Sequence, residues 1–195
     1  MSCEIVRGDA LDLVQKEDRE FDLVDTDPPY AFGGSGDEHA LSATVAVVLR
    51  ECARRLRRGR WMVVLCASSW RSMSYMVESV RGLALPVRVG TWCKPRGGSK
   101  VATPGWTWAS VSAVVFRKGK SELPMDGHKT LDHVEAAIVR DGRRAELPAS
   151  VALWAVRPWA VKGGLFLDPF AGSGKLVAAA RDCGMEAVGY ERQGR

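Results

Sequence analysis

Short apolar runs alternate along the chain with longer stretches in which apolar residues recur every three or four positions. Such runs are typical of buried strands, and the longer stretches are typical of amphipathic helices. Strands are predicted at 4–6, 21–26, 61–66, 86–93, 110–116, 164–167 and 186–190. Helices are predicted at 41–56, 68–80, 131–139, 147–159 and 173–183, with a helical turn after Gly8 and Asp9. This alternation predicts an α/β fold with a doubly wound sheet.

The composition excludes several classes of protein. Arg or Asp interrupts every long apolar run, so no membrane span and no membrane partner is predicted. The first residues lack the basic-then-apolar pattern of a signal peptide, and we expect a cytoplasmic protein. The 5 cysteines form no C-x-x-C pair and the 3 histidines have no ligand spacing, which predicts no metal site. The net charge of +5 favours a polyanionic partner.

An acid, two prolines and an aromatic residue follow the predicted strand at 21–26, as Asp27-Pro28-Pro29-Tyr30. Open α/β sheets bind ligands at the carboxyl ends of their strands. The prolines hold the backbone extended and leave the carbonyls of Asp27 and Pro28 without local donors. A carboxylate and a rigid carbonyl are an acceptor pair for a planar amino group, and Tyr30 offers a flat face to a base. An acidic turn with a structural tyrosine is the alternative.

A glycine-rich segment joins a later strand to a helix, as Leu167-Asp168-Pro169-Phe170-Ala171-Gly172-Ser173-Gly174. Gly172 and Gly174 allow a ligand to approach the main chain closely, and the first amides of the helix have no acceptors within it. A phosphate-binding P-loop is excluded because Leu176 stands where that motif needs Ser or Thr. A dinucleotide-binding motif fits poorly because its third glycine is missing.

Glu191 follows the last predicted strand and lies 23 residues after Asp168. An acid about 20 residues beyond a glycine-rich loop can bind the two hydroxyls of a ribose. This spacing favours a ribose-binding role over that of a surface glutamate.

Taken together, these motifs resemble those of the DNA amino-methyltransferases, and specifically of their permuted branch, the β class. In that branch the D-P-P-Y element comes before the cofactor element D-P-F-x-G-S-G, and here Asp27 precedes Asp168 by 141 positions. The segments 6–11, 61–68 and 91–95 also resemble the family, so the likeness covers most of the chain.

The resemblance implies a Rossmann-like methyltransferase fold in circularly permuted motif order. Its sheet would have seven strands, mostly parallel, with the strand at 110–116 antiparallel. The strand that ends at Asp168 would lie between the strands that precede Asp27 and Glu191.

The resemblance also implies S-adenosyl-L-methionine as the cofactor and an adenine of DNA as the target. The catalytic residues would be Asp27, Pro28, Pro29 and Tyr30, with Asp27 and the Pro28 carbonyl on the amino group and Tyr30 stacked on the extruded base. The cofactor-binding residues would be Asp9, Asp27, Asp168, Pro169, Phe170, Ala171, Gly172, Ser173, Gly174 and Glu191. Methylation of a cytosine ring carbon would need a cysteine nucleophile, usually after proline, and the chain has no Pro-Cys pair.

The chain departs from the family pattern around the cofactor element. Lys175 stands where the family usually has Thr, and Leu147-Pro148 stands where it often has Lys-Pro. Only about 30 weakly patterned residues, 118–147, occupy the place of the target-recognition region. We therefore expect one domain over 1–195 with a reduced recognition region around 94–147, and weak specificity or help from a second subunit.

A loop at 94–108 combines basic and aromatic residues that suit phosphates and unstacked bases. The nucleic-acid-binding residues would be Lys94, Arg96, Lys100, Trp106 and Trp108. Alternatively, the tryptophans belong to the core and the charges are solvated.

Other functions stay open at this point. They are methylation of adenine in RNA, methylation of cytosine N4 in DNA, a non-catalytic subunit of a methyltransferase complex, and methylation of a small molecule or a protein amide. Asp27 favours adenine, since cytosine-specific members often have Ser there. A homodimer or a second recognition subunit is also left open.

Overall fold

Strands and helices alternate along the computed structural model, which describes residues 2–29, 38–95, 109–120, 130–139 and 146–192. The strands are β1 (Cys3–Arg7), β2 (Phe21–Thr26), β3 (Leu56–Ala67), β4 (Leu85–Cys93), β5 (Ser110–Arg117), β6 (His133–Glu135), β7 (Leu165–Asp168) and β8 (Glu186–Glu191). The helices are α1 (Ala10–Lys16), α2 (Glu38–Arg55), α3 (Trp70–Ser79), α4 (Ala149–Val156) and α5 (Lys175–Asp182).

The strands form one sheet in the order β1-β8-β7-β2-β3-β5-β4-β6. β5 runs antiparallel to both of its neighbours, and the other pairings are parallel. The predicted α/β class, the antiparallel strand at 110–116 and the position of β7 between β2 and β8 are therefore confirmed. In the described residues the sheet has 8 strands, where 7 were predicted.

The additional strand is β6, and the predicted helix at 131–139 is wrong. His133–Glu135 pairs in parallel with the outer edge of β4. The Trp92 indole N–H donates to the Ala136 carbonyl (2.8 Å), and the Trp154 indole N–H donates to the Leu131 carbonyl (2.8 Å). Pairing with β4 satisfies main-chain groups that a free strand edge would expose, and this long-range gain outweighs the local helical pattern.

Helices cover both faces of the sheet. The buried residues of α1, α2 and α3 pack on one face, around Val24, Met62 and Val64. Those of α4 and α5 pack on the other face, around Leu23, Val63 and Leu65. Alternate residues of β2 and β3 thus face opposite layers, as the period of a strand requires. All six residues of β2 are buried.

Several predicted boundaries differ from the structure because a strand or a cap begins elsewhere. β3 starts at Leu56, so residues 56–60, predicted as helix end and turn, belong to the strand. α4 begins at Ala149 after Pro148, and α5 begins at Lys175 after Gly174. Among the described residues, no helix is long and apolar enough to span a membrane.

Candidate active site

The carboxyl ends of β2 and β7 meet at one edge of the sheet because these strands are parallel neighbours, with Val24 beside Leu167. Asp27 follows β2, and Asp168 ends β7. Both line a cavity of about 170 Å³. Its other described lining residues are Glu146, Leu147, Phe170, Ala171, Gly172, Ser173, Lys175 and Leu176. The structure therefore brings the two predicted motifs, 141 positions apart in the sequence, to one site.

The glycine-rich loop between β7 and α5 turns sharply above the sheet. Gly172 and Gly174 have φ angles of +52° and +77°, in the left-handed region that favours glycine. The Gly174 N–H donates to the Ala171 carbonyl (2.7 Å), and the Ala171 N–H donates to the Tyr190 carbonyl of β8 (2.8 Å). These bonds fix the loop against the neighbouring strand.

Gly189 of β8 lets the loop and α5 lie this close to the sheet. A Cβ atom at this position would lie 2.7 Å from the Ala171 Cβ and 2.8 Å from the Val177 Cγ2. These separations are far below a carbon–carbon contact distance. A side chain here would therefore displace the loop that lines the cavity.

Glu191, at the end of β8, is tied to the same loop. The Gly172 N–H donates to the Glu191 Oε2 (2.8 Å). The side chain is neither fully buried nor freely exposed, so the carboxylate is held at the rim of the loop. A carboxylate fixed by a main-chain amide loses little further entropy when it binds a hydroxyl group.

Asp168 is 1% exposed, and burial raises its pKa to about 7. Its Oδ1 accepts from the Thr26 hydroxyl (2.7 Å) and from the Phe170 N–H (3.0 Å), and both bonds oppose the shift. The negative charges of Asp27 and Glu191 raise the pKa further. The cavity therefore brings a buried acid close to two further acids, and this arrangement favours a proton or another cation.

Asp25 lies within strand β2, two residues before Asp27. It is 0% exposed, and within the described residues neither of its carboxylate oxygens has a hydrogen-bond partner. Burial, and then the charges of Asp168 and Asp27, raise its pKa well above the usual range, and the nearby Thr26 N–H, which is outside hydrogen-bonding geometry, opposes this shift. Nothing in the sequence pattern distinguishes Asp25 from an ordinary strand residue.

Lys94 follows β4. Among the basic residues predicted to bind nucleic acid, it is the one that lies within the described residues. Its Nζ lies 4.6 Å from the centroid of the Trp92 ring. Burial lowers its pKa, and the charge of Asp27 opposes that shift. Lys94 thus lies within electrostatic reach of Asp27.

The remaining predicted residues lie around the cavity or outside the described residues. Pro28 and Pro169 are buried, and Pro29 is exposed. Asp9 does not line the cavity; it caps α1 by accepting from the Leu11 N–H (3.0 Å). Tyr30, Arg96, Lys100, Trp106 and Trp108 lie outside the described residues.

Four residues that line the cavity, Glu146, Leu147, Lys175 and Leu176, had no role predicted from the sequence. The Lys175 Nζ lies 3.2 Å from the Glu146 Oε1. Leu147 and Lys175 are positions at which the chain departs from the family pattern. These departures from the family pattern were the only indication in the sequence that the two positions matter. No spacing in the sequence indicated that Leu147 and Lys175 line the same cavity.

Solved structures of DNA methyltransferases have the same architecture. M1.HpyAVI in complex with SAM matches with a TM-score of 0.78 at 16% identity, over 97% of this chain and 93% of that one. The PvuII DNA methyltransferase, which is cytosine-N4-specific, matches with a TM-score of 0.77 at 15% identity, over 99% of this chain and 83% of that one. A Thermus thermophilus protein described as a DNA modification methylase, complexed with S-adenosyl-L-methionine, matches with a TM-score of 0.74 at 22% identity, over 97% and 87%.

The chain has the fold of these methyltransferases. No protein-family model and no curated protein matches it. At such low identity the likeness establishes the methyltransferase fold, while the chemistry has to be argued from the side chains of the site.

Proposed function

We propose that the chain is an S-adenosyl-L-methionine-dependent methyltransferase that acts on the exocyclic amino group of adenine in DNA. One observation carries the proposal: a single cavity joins Asp27 of the D-P-P-Y element to the glycine-rich loop at 168–174. An acceptor for an amino group and a loop that can take a nucleoside cofactor then lie side by side.

The described residues fit this cofactor. S-Adenosylmethionine carries a sulfonium and an ammonium group, and acids line the cavity, namely Asp27, Glu146 and Asp168. A buried acid with a raised pKa, such as Asp168, is stabilised in its ionised form by a nearby cation. We assign Glu191 to the ribose hydroxyls, with Pro169, Phe170, Ala171, Gly172, Ser173 and Gly174 forming the wall of the cofactor site. Asp9, which caps α1 and does not line the cavity, is assigned to the adenine moiety of the cofactor.

The chemistry follows from the electronic structure of an aromatic amine. Its lone pair is conjugated with the ring, so the nitrogen is a poor nucleophile. We propose that the Asp27 carboxylate and the Pro28 carbonyl accept hydrogen bonds from the two N–H groups of the target amine. These bonds draw the two hydrogens out of the ring plane. Pro29 keeps this main chain rigid, and Tyr30 stacks on the base. When bound, the cofactor supplies an electrophilic methyl group, and the amino proton passes to the Asp27 carboxylate or to solvent. Positioning and fixed dipoles supply most of the acceleration.

DNA is the proposed polymer. The net charge of +5 suits a polyanion, and the solved structures of the same fold are DNA methyltransferases. We assign the phosphate and base contacts to Lys94, Arg96, Lys100, Trp106 and Trp108. The alternative polymer is RNA, and the alternative mode of recognition needs a second subunit or a second copy of the chain. Methyl-transfer experiments distinguish these alternatives from a stand-alone enzyme on DNA.

Cytosine N4 is the second candidate target. The cytosine-N4-specific PvuII enzyme matches this chain about as well as M1.HpyAVI does, with TM-scores of 0.77 and 0.78. Both targets are exocyclic amines, so the same acceptor pair serves either. Asp27, rather than Ser, supports adenine.

The test is transfer of a labelled methyl group from S-adenosylmethionine to unmethylated DNA and to RNA, followed by nucleoside analysis. The wild type is compared with Asp27→Ala and with the matched control Asp182→Ala, an exposed acid at the far end of α5. We expect N6-methyladenine from DNA with the wild type and the control, and a loss of at least about 100-fold with Asp27→Ala.

Each other result changes the proposal in a defined way. Label in N4-methylcytosine would replace adenine by cytosine, and label in RNA alone would replace the polymer. Cofactor binding without transfer to either polymer would exclude a stand-alone enzyme on nucleic acid and would indicate a missing subunit or another substrate. Equal activity of Asp27→Ala and Asp182→Ala would refute the assigned role of Asp27.

A further inference from the structure

The charges that line the cavity are unequally distributed. Three of the described lining residues are acids, Asp27, Glu146 and Asp168, and the one described lining cation is Lys175. Lys175 is the first residue of α5, directly after the glycine-rich loop. Its side chain is 39% exposed, and its Nζ lies 3.2 Å from the Glu146 Oε1, whose side chain is only 13% exposed. The ammonium group is therefore held at the wall of the cavity.

The amino acid part of S-adenosylmethionine poses an electrostatic problem in such a cavity. Its ammonium group and the sulfonium are attracted by the three acids, but its carboxylate is repelled by them. The carboxylate needs a local site of positive potential. Among the described lining residues, Lys175 provides the only full positive charge.

The start of α5 adds to this potential. Gly174 is the N-cap residue and makes no side-chain cap, so the first amides of the helix receive no acceptor from it. Free amides at a helix start favour an anion, and the Lys175 ammonium stands at the same place. The two features reinforce each other at the start of α5, where Glu146 holds the ammonium group.

We propose that Lys175, held against the cavity by Glu146, binds the carboxylate of the amino acid part of the cofactor. This inference rests on the proposed function. It makes Lys175 a specificity-determining residue, because it distinguishes the complete cofactor and its demethylated product from adenosine thioethers that lack the carboxylate. Glu146 acts as a positioning residue that holds the ammonium group at the wall of the cavity.

The test uses two ligands that differ in the amino acid part. S-Adenosylhomocysteine keeps the carboxylate and the ammonium group, and 5′-methylthioadenosine has the same adenosine and thioether without them. Isothermal titration calorimetry measures both Kd values for the wild type, Lys175→Met, Lys175→Arg and the matched control Lys162→Met, an exposed lysine outside the cavity.

We expect Lys175→Met to raise the Kd of S-adenosylhomocysteine by about 10- to 100-fold, the usual effect of losing a charged hydrogen bond. The Kd of 5′-methylthioadenosine should stay within about twofold, which also shows that the cavity of the variant is folded. Lys175→Arg keeps the charge and should retain most of the affinity, and Lys162→Met should bind both ligands like the wild type.

Three results would overturn the inference. If Lys175→Met binds S-adenosylhomocysteine as tightly as the wild type, the ion pair with Glu146 serves the fold alone. If the Kd values of both ligands rise by the same factor, Lys175 shapes the cavity and does not bind the carboxylate. If the wild type binds neither ligand, the proposed function itself fails, and this result is distinct from the first two because the wild type alone reveals it.

Discussion

Strand β2 carries a buried acid near each end, and the two ends are built in opposite ways. At the amino end, Asp22 is 2% exposed and has several partners. It accepts from the Arg60 Nε (3.1 Å), from the Arg57 Nη1 (3.2 Å) and from the Leu165 N–H (3.0 Å). Two cations and an amide of β7 thus compensate one carboxylate.

At the carboxyl end, the acids outnumber their partners. Asp25 is fully buried and has no hydrogen-bond partner among the described residues. Asp168 has two neutral donors, Thr26 and Phe170, and its pKa is raised to about 7. The charge of Asp168 raises the pKa of Asp25, and the charge of Asp27 raises the pKa of both, because the low dielectric of the interior leaves the repulsion unscreened.

The difference separates a structural role from a functional one. A compensated acid stabilises the fold, and an uncompensated one costs stability that the fold has to supply elsewhere. Clusters of this second kind concentrate at functional sites. Under the proposed function, the cationic cofactor is the partner that the carboxyl end of β2 lacks, whereas the amino end has its partners already.

Removal of the compensated acid should have the largest effect on stability. Asp22→Ala takes away the acceptor for Arg57, Arg60 and the Leu165 N–H, and leaves the amide buried without a partner. We expect the free energy of unfolding to fall by about 2–4 kcal/mol, less than for a fully buried pair because both arginines can reach solvent. Urea denaturation at pH 7 measures this loss.

The matched control for this variant is Asp182→Ala, which removes an exposed ion pair with Arg181. An exposed pair of this kind contributes little, so the control should lose less than about 0.5 kcal/mol. A loss below about 1 kcal/mol for Asp22→Ala would mean that the two ends of β2 do not differ in the way described.

The uncompensated end should respond with the opposite sign. The folded-state pKa of Asp25 lies well above the unfolded value of about 4, so the folded chain binds the proton more tightly. The wild type therefore loses stability as the pH rises from about 4 through the folded pKa. Asp25→Asn removes this titration, and its stability relative to the wild type should grow as the pH rises from 5 to 8, by no more than about 1.4 kcal/mol per pH unit for a single proton.

Chemical denaturation at pH 5, 6, 7 and 8 measures this change for the wild type, Asp25→Asn and Asp18→Asn. Asp18 is an exposed acid in the turn before β2, so its variant should follow the wild type at every pH. A constant difference between Asp25→Asn and the wild type from pH 5 to pH 8 would show that Asp25 titrates normally in the folded chain.

The sequence predicts much of this arrangement, and its failures have physical reasons. The strands that precede Asp27, Asp168 and Glu191 are short and mainly apolar, so their existence and the edge where they meet could be predicted from the residues. Their order in the sheet was predicted from the family resemblance. Ion pairs between distant elements could not. Arg57 and Arg60 read as the end of a helix and a turn, because nothing local indicates that β3 begins at Leu56.

The cavity shows the same limit. The glycine-rich loop has a local signature, and Asp27 lies in a recognisable motif. The ion pair of Lys175 with Glu146 depends on how the segment before α4 lies against the start of α5, and residues 146 and 175 share no motif. β6 was missed because three residues are too few to show a period, and pairing with β4 decides their conformation.

The smallest expected effect concerns Glu17, a compensated acid that links the turn before β2 to β8. Its carboxylate accepts from the Tyr190 hydroxyl (2.9 Å) and from the Arg19 Nε (2.8 Å). The hydrogen bonds of Arg19 are the main cause that lowers its pKa to about 2 from 4.5, and burial opposes them. The pH dependence that Glu17 contributes should therefore have the opposite sign to that of Asp25.

The sign of the pH dependence follows from the lowered pKa. The stabilisation by Glu17 is present above pH 4.5, the unfolded value, and is lost as the pH falls toward about 2. Glu17→Gln should be less stable than the wild type by about 1 kcal/mol at pH 7, because Arg19 is half exposed and the pair is partly screened. The difference should shrink below pH 4.5 and vanish only near pH 2, and thermal unfolding from pH 7 to pH 2 measures it. Glu20→Gln is the control, since Glu20 is exposed and lies 3.9 Å from the Arg57 Nε, and it should show no such slope. A difference between Glu17→Gln and the wild type that grows toward acid pH would place Glu17 with the uncompensated acids and would remove the contrast between the two kinds of buried carboxylate.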